Sequence, residues 1–401
     1  MNSSPEYQPP QDESDDQAGE PDISREAPVA APEPIPVFQQ EPWFPSPVPP
    51  APPPQLEPRY PPRIPHLGHL VFLLLALAPI AFLAMGLLVG LAMHYHLFGV
   101  SSAQQAVGNV HYLLGSEGLL YLFTFALALL IFPAFWHESL LAGLQWNGAT
   151  ALRMRKWLFS AAFICFLLAL LSGEFFHGPT NTPIEKIFRT PGAAWLLFAF
   201  GITFAPFFEE MFFRGFLLPA LCTVSDWIAE KICPDGPIFV GSNGRPHWPA
   251  SGVTTAAVSL LSIPAAFFLA FYIKDGRFAL EILLPYFVLI LALFTILAVH
   301  KSPPHVFARP VDTDGHPLWS TSALVIGSLV TSIPFAAMHG EQTGYAFGPF
   351  LLLVGVSLVL CAVRLSTRSL AASTLVHACY NFLLFSLMLI ASGGFRHLDK
   401  M

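Results

Sequence analysis

Charge is scarce in this sequence. Only 11% of its 401 residues are Asp, Glu, Lys or Arg, less than half the roughly 25% typical of soluble domains. That shortage excludes an ordinary soluble fold for the bulk of the chain. Cysteine is also scarce: the five residues, at 165, 222, 233, 361 and 379, form no CxxC pair. Neither a disulfide framework nor a cysteine-rich metal cluster is expected, and most of them read as small core residues. No basic patch is present, which excludes nucleic acid as a partner. No apolar run follows directly on a basic N-terminus, so no signal peptide is expected.

Apolar residues are abundant instead: 54% of the chain is hydrophobic and the mean hydropathy is +0.57. A membrane-spanning helix needs about 20 mostly apolar residues. Nine such runs are predicted, at about 68–93, 113–135, 157–173, 193–221, 253–273, 278–299, 321–339, 347–363 and 370–392. The fifth and sixth, separated only by "KDGR", predict a helical hairpin. The fold class is therefore all-α, a polytopic membrane protein of about nine transmembrane helices.

Residues 1–65 are different. They hold 20 of the 39 prolines and eleven acids against three bases, a net −8 that leaves +1 for the rest of the chain. Such a segment buries too little apolar surface to offset its ordering entropy, and it reads as a disordered tether with polyproline stretches near "PSPVPPAPPPQ". Residues 66–192 then form N-terminal transmembrane helices. Residues 193–392 form a second helical domain, interrupted at about 224–320 by a block containing the hairpin. Residues 393–401 are a C-terminal tail. With the N-terminus inside, cytoplasmic segments carry 11 Lys and Arg and outer segments 6. This bias puts the N-terminus in the cytoplasm and the protein in a plasma (inner) membrane.

Ionisable residues at membrane depth are functional candidates. "FAPFFEEMFFRGF" (204–216) carries Glu209, Glu210 and Arg214; "SIPFAAMHG" carries Phe335 and His339; "TLVHACYNF" carries His377 and Asn381. Residues four apart share a helix face, which pairs Glu210 with Arg214 and aligns His377 with Asn381. Glu209 is turned about 100° from Glu210 and has no cation four positions along. A carboxyl removed from water holds its proton more tightly, which suits a base acting on water near neutral pH. Imidazoles and a carboxamide can donate to a developing oxyanion. The set suits amide hydrolysis by activated water.

"EEMFFRG", "FAAMH" and "HACYN" resemble, in order, the EExxFRG, FxxxH and HxxxN motifs of the CAAX-protease and bacteriocin-processing family, the CPBP or Abi intramembrane endopeptidases. The resemblance covers roughly 195–222 and 321–392. It implies an endopeptidase acting on a membrane-associated protein or peptide within the bilayer. Glu209 would activate water and His339 would hold or deprotonate it. His377 and Asn381 would stabilise the oxyanion, supported by Glu210, Arg214 and Phe335. The long gap between Glu210 and His339 departs from the family pattern, and the hairpin at 253–299 reads as an accessory insertion. Two further readings stand beside the protease: a proton-coupled transporter, and a non-cleaving scaffold derived from a protease.

A zinc reading would take His339, His377 and Glu209 as ligands. Histidines from two separate helices, with an asparagine beside one of them, favour a mechanism without metal or other cofactor. "WHESLL" (136–141) has Leu141 where a zinc helix needs its second histidine. "DTDG" (312–315) lacks the rest of a calcium loop. His247, His305 and His316 are loop residues without ligand spacing.

Overall fold

The computed structural model describes residues 65–107, 109–176, 187, 190, 192–237, 239–240, 245–272, 280–299, 316–340 and 342–395. The expected tether, the "KDGR" connection and the extreme C-terminus lie outside these residues. The described residues belong to one compact unit, Pro58–Met401.

Among the described residues there are ten helices of ten or more residues. They are α1 (Leu67–Tyr95), α2 (Val110–Trp136), α3 (Arg155–Phe175), α4 (Ala193–Ile202), α5 (Phe204–Ile232), α6 (Ala250–Tyr272), α7 (Leu280–Val299), α8 (Thr321–Met338), α9 (Phe347–Thr367) and α10 (Leu370–Ala391). Eight are long and apolar enough to cross a membrane; α4 and the described apolar stretch of α7, Leu283–Ile296, are shorter. The chain is an integral membrane protein of α-helical class. Among the described residues the only strands are a two-residue antiparallel pair, Phe239–Val240 with Pro246–His247. All five cysteines are free.

The predicted span at 193–221 is not one helix. α4 ends at Ile202, Thr203 leaves helical geometry with φ −122° and ψ −75°, and α5 begins at Phe204. The cause is Pro206. Proline has no N–H to return to the carbonyl of Ile202, and its ring crowds that carbonyl. Continuous apolarity hides the break from a hydropathy reading. α5 then runs eleven residues beyond the predicted end, to Ile232.

α5 is the central helix. Its most apolar 18-residue stretch is 89% buried, against 17–44% for the other seven spans. Phe208, Met211 and Phe216 pack with α1 and α2 through Leu70, Leu73 and Phe132. Phe213 packs with α3, α8, α9 and α10. Leu221, Val224, Trp227 and Ile228 pack with Ala256 and Leu260 of α6 and with Ile326 and Val330 of α8. The first helix of the supposed accessory hairpin is thus part of the core, because it supplies the cover for the apolar side of α5 that carries Leu221, Val224 and Ile228.

α5 and α8 run antiparallel, tied at one end by Asp226. Its buried carboxylate accepts the Ser320 backbone N–H at 2.9 Å, the Ser320 hydroxyl and the Trp248 indole N–H at 2.9 Å. Ser320 in turn caps α8 by accepting from Ala323 N–H at 3.1 Å. Glu209 lies 17 residues before Asp226, and His339 lies 19 residues after Ser320. Helices rising about 1.5 Å per residue therefore bring Glu209 and His339 to the same level at the other end. The break at Thr203 makes this possible, since it puts Glu209 near the start of a helix instead of in the middle of one.

Candidate active site

Glu209 and Glu210 occupy the last α-helical positions before a π-helical segment, Met211–Leu217. Such wide turns close i→i+5 hydrogen bonds and are frequent at functional sites. Both carboxylates and Arg214 are buried, Glu210 and Arg214 completely.

Arg214 joins three helices. Its Nη1 donates to Glu210 Oε1 at 2.8 Å. On α9 its Nη2 donates to the Ser357 hydroxyl at 2.7 Å and to the Ser357 carbonyl at 3.2 Å. Its Cζ lies 4.4 Å from the centroid of the Phe335 ring on α8, within cation–π range. That ring also packs against His339 and His377, with centroids 5.1 and 5.8 Å apart. Phe335 is the apolar floor under both imidazoles.

The partners fix which nitrogen each imidazole turns to Glu209. His339 Nδ1 is 2.8 Å from the Phe335 carbonyl, which can only accept, so Nδ1 carries the hydrogen. His377 Nδ1 lies 3.0 Å from Glu210 Oε1 and donates to it. In each neutral ring the free lone pair is then on Nε2. The two Nε2 atoms face Glu209 Oε2 at 3.8 Å from His339 and 3.9 Å from His377. These separations exceed a direct hydrogen bond and can each be bridged by one water. Glu209 Oε2 has no hydrogen-bond partner among the described residues.

Asn381 is one turn along α10 from His377, but its amide is turned elsewhere. Nδ2 donates to the Gly201 carbonyl at 2.7 Å, at the place where Pro206 interrupts the backbone. Membrane helices tolerate such breaks when a neighbouring helix satisfies the freed groups. One of the two amide hydrogens expected for an oxyanion is therefore committed to holding α4 against α10. The approach is close: a Cβ on Gly201 would come 2.6 Å from the Phe385 ring. Gly201→Ala is expected to cost about 1–3 kcal/mol by overpacking, read as a lower unfolding temperature in detergent. An unchanged transition would mean that the ring yields freely.

Two residues on α2 complete the surroundings, and the motif-based reading passed over both. Glu117 lies inside the predicted span 113–135, and its isolated charge in an apolar run was the available signal. It accepts a hydrogen bond from Tyr121 Oη at 2.9 Å and lies within electrostatic reach of both Glu209 and His339. The Tyr121 ring stacks on Phe208, the neighbour of Glu209, with centroids 4.9 Å apart. An apolar cavity of about 470 Å³, walled by α1, α2, α5 and α8, borders Glu209 and Tyr121.

Among the described residues no group of three or more His, Cys, Asp or Glu side chains is arranged to hold a metal ion. Asn381 adds no ligand, because its amide is turned to Gly201.

Residues 313–383 match the family model described as Type II CAAX prenyl endopeptidase Rce1-like. The segment contains His339, His377 and Asn381, and with them α8, α9 and most of α10; Glu209 and Glu210 lie before it. No curated protein and no solved structure matches the chain. The matched segment, and the order and placement of the motifs, agree with the resemblance of this sequence to CAAX-protease-type intramembrane endopeptidases.

Proposed function

We propose that this protein hydrolyses a peptide bond of a membrane-associated substrate with water activated by Glu209. The observation that carries the proposal is the meeting of three groups from α5, α8 and α10. A buried carboxylate oxygen faces the lone pairs of two imidazoles at distances that one water spans. Three acceptors pointing at one another are mutually repulsive unless a proton donor lies among them. A water molecule supplies two protons there.

In the proposed step one water proton passes to Glu209 as the oxygen bonds to the scissile carbonyl carbon. His339 accepts the other hydrogen and orients the water. His377, held by Glu210, stabilises the developing oxyanion as the imidazolium, with a proton taken up from solvent on Nε2 while Nδ1 donates to Glu210. Collapse of the tetrahedral intermediate breaks the C–N bond, and Glu209 returns its proton to the departing amine. Asn381 acts as a positioning residue through the Gly201 carbonyl. No metal or other cofactor takes part. The cavity beside Glu209 suits an apolar, lipid-modified or membrane-embedded segment, and the family points to the C-terminus of a prenylated protein as substrate class. The Lys and Arg count favours a cytoplasmic N-terminus.

The test is cleavage of a farnesylated CAAX-type peptide by the purified full chain, reconstituted in lipid nanodiscs, with products read by mass spectrometry. Release of a carboxyl-terminal tripeptide, undiminished after exhaustive chelation, is the expected result. Activity lost on chelation and regained with zinc would overturn the metal-free step. No cleavage of this peptide or its unprenylated form would overturn the substrate class.

A further inference from the structure

Hydroxyl groups on membrane helices usually find a backbone carbonyl. Thr203 donates to Ala199, Thr223 to Pro219, Thr255 to Ser251 and Thr295 to Leu291, all at 2.6–2.9 Å. Thr124 does not. It is 6% exposed, and its Oγ1 has no hydrogen-bond partner among the described residues. Thr331 is also unpartnered, but it borders neither of the two principal cavities. Thr124 lines the cavity that reaches Glu209. A buried hydroxyl left without a partner in so apolar a place is costly, and its retention there points to a partner that comes and goes.

Glu117, Tyr121 and Thr124 are spaced i, i+4 and i+7 along α2, so they form one polar face. The rest of the cavity wall is almost wholly apolar, with Leu70, Leu73, Leu77 and Met338 among its side chains. Tyr121, Thr124 and Glu209 are the exceptions. Tyr121 spends its hydrogen on Glu117, which leaves the phenol oxygen free to accept. Thr124 is free to donate. One acceptor and one donor, on side chains about 5–6 Å apart at Cβ, match the needs of an extended peptide. Its backbone N–H and C=O groups lose water on entering the membrane and require replacement partners.

We infer that Tyr121 and Thr124 hold the backbone of the substrate beside its scissile bond, with Thr124 donating to a substrate carbonyl, Tyr121 accepting a substrate N–H, and Glu117 fixing the tyrosine hydroxyl. The two are binding residues, and Glu117 is a positioning residue. The inference rests on the proposed endopeptidase activity. It adds a site wall on α2, outside the segment 313–383 that matches the family.

The experiment measures steady-state cleavage of the farnesylated CAAX-type peptide by the full chain in nanodiscs. Thr124→Val, Thr124→Ser and Tyr121→Phe are compared with wild type. Loss of one neutral hydrogen bond raises KM by about three- to tenfold in Thr124→Val and in Tyr121→Phe, with kcat changed by less than about twofold. Thr124→Ser, which keeps the hydroxyl, regains the wild-type KM. The unfolding temperature of Thr124→Val without substrate stays level or rises, since a methyl replaces an unsatisfied hydroxyl. A structural threonine would give the opposite pattern, a lower unfolding temperature with KM unmoved, and that result overturns the inference. So does a raised KM that serine fails to restore, because bulk and not the hydroxyl would then be responsible. A wild-type chain that cleaves while all three variants keep its KM refutes the binding wall alone. A wild-type chain that cleaves nothing refutes the proposed activity and the wall together.

Discussion

Glu209→Gln is expected to lower kcat on the farnesylated peptide by about three orders of magnitude, within the 10²–10⁴-fold range of general base catalysis. KM and the unfolding temperature should stay close to wild type. Glutamine keeps the shape and one acceptor oxygen, so the packing of α5 against α1 and α2 is preserved. It cannot take a proton from water. Because Oε2 has no direct partner among the described residues, no existing hydrogen bond at that atom is broken by the change, and loss of activity reads as loss of chemistry. Substantial turnover by a folded Glu209→Gln chain would remove this residue from the mechanism and direct attention to Glu117.

Arg214→Ala is expected to destabilise the protein by about 3–5 kcal/mol, the usual cost of breaking a buried ion pair from one side. The charge on Glu210 would be stranded at complete burial, and Ser357 would lose its donor. Glu210→Ala should cost a similar amount by stranding the guanidinium. The double replacement should cost clearly less than the sum, because neither charge then remains. Thermal unfolding of the four chains in one detergent gives the coupling. Strict additivity would mean that the 2.8 Å contact contributes nothing, and that Arg214 acts through Ser357 and Phe335 alone. Arg214→Lys should recover little, since one ammonium lacks the planar fork that reaches Glu210 and Ser357 at once.

Much of the architecture was legible because apolar runs and spanning helices obey one length rule. The run at 113–135 became a helix at Val110–Trp136, and the run at 370–392 became Leu370–Ala391. The spacing of Glu210 and Arg214 announced their contact. Other features escaped for physical reasons. Hydropathy carries no record of hydrogen bonding, so it passed over Thr203 although Pro206 stood three residues away. Glu117 was visible as a charge in an apolar run, but no motif drew attention to it, and its role depends on α2 packing beside α5. Asp226 looked like a residue of an inserted block, and only the antiparallel docking of α5 and α8 made it a clamp. The tilt of each imidazole depends on the Phe335 carbonyl and on Glu210, and no spacing rule encodes it.

The π-helical segment at Met211–Leu217 bears on how this chain tolerates change. A wide turn holds about one residue more than regular helical winding requires. Removing one residue from it would restore ideal hydrogen bonding and give a more comfortable helix. The same deletion would swing Glu209 and Glu210 by about 100° relative to everything after Leu217, and turn them away from both histidines. Local regularity and the site therefore pull in opposite directions here. Most positions in the bundle can drift among apolar residues of similar size, but the length of this segment cannot, and a chain that had lost one residue from it would fold well and do nothing.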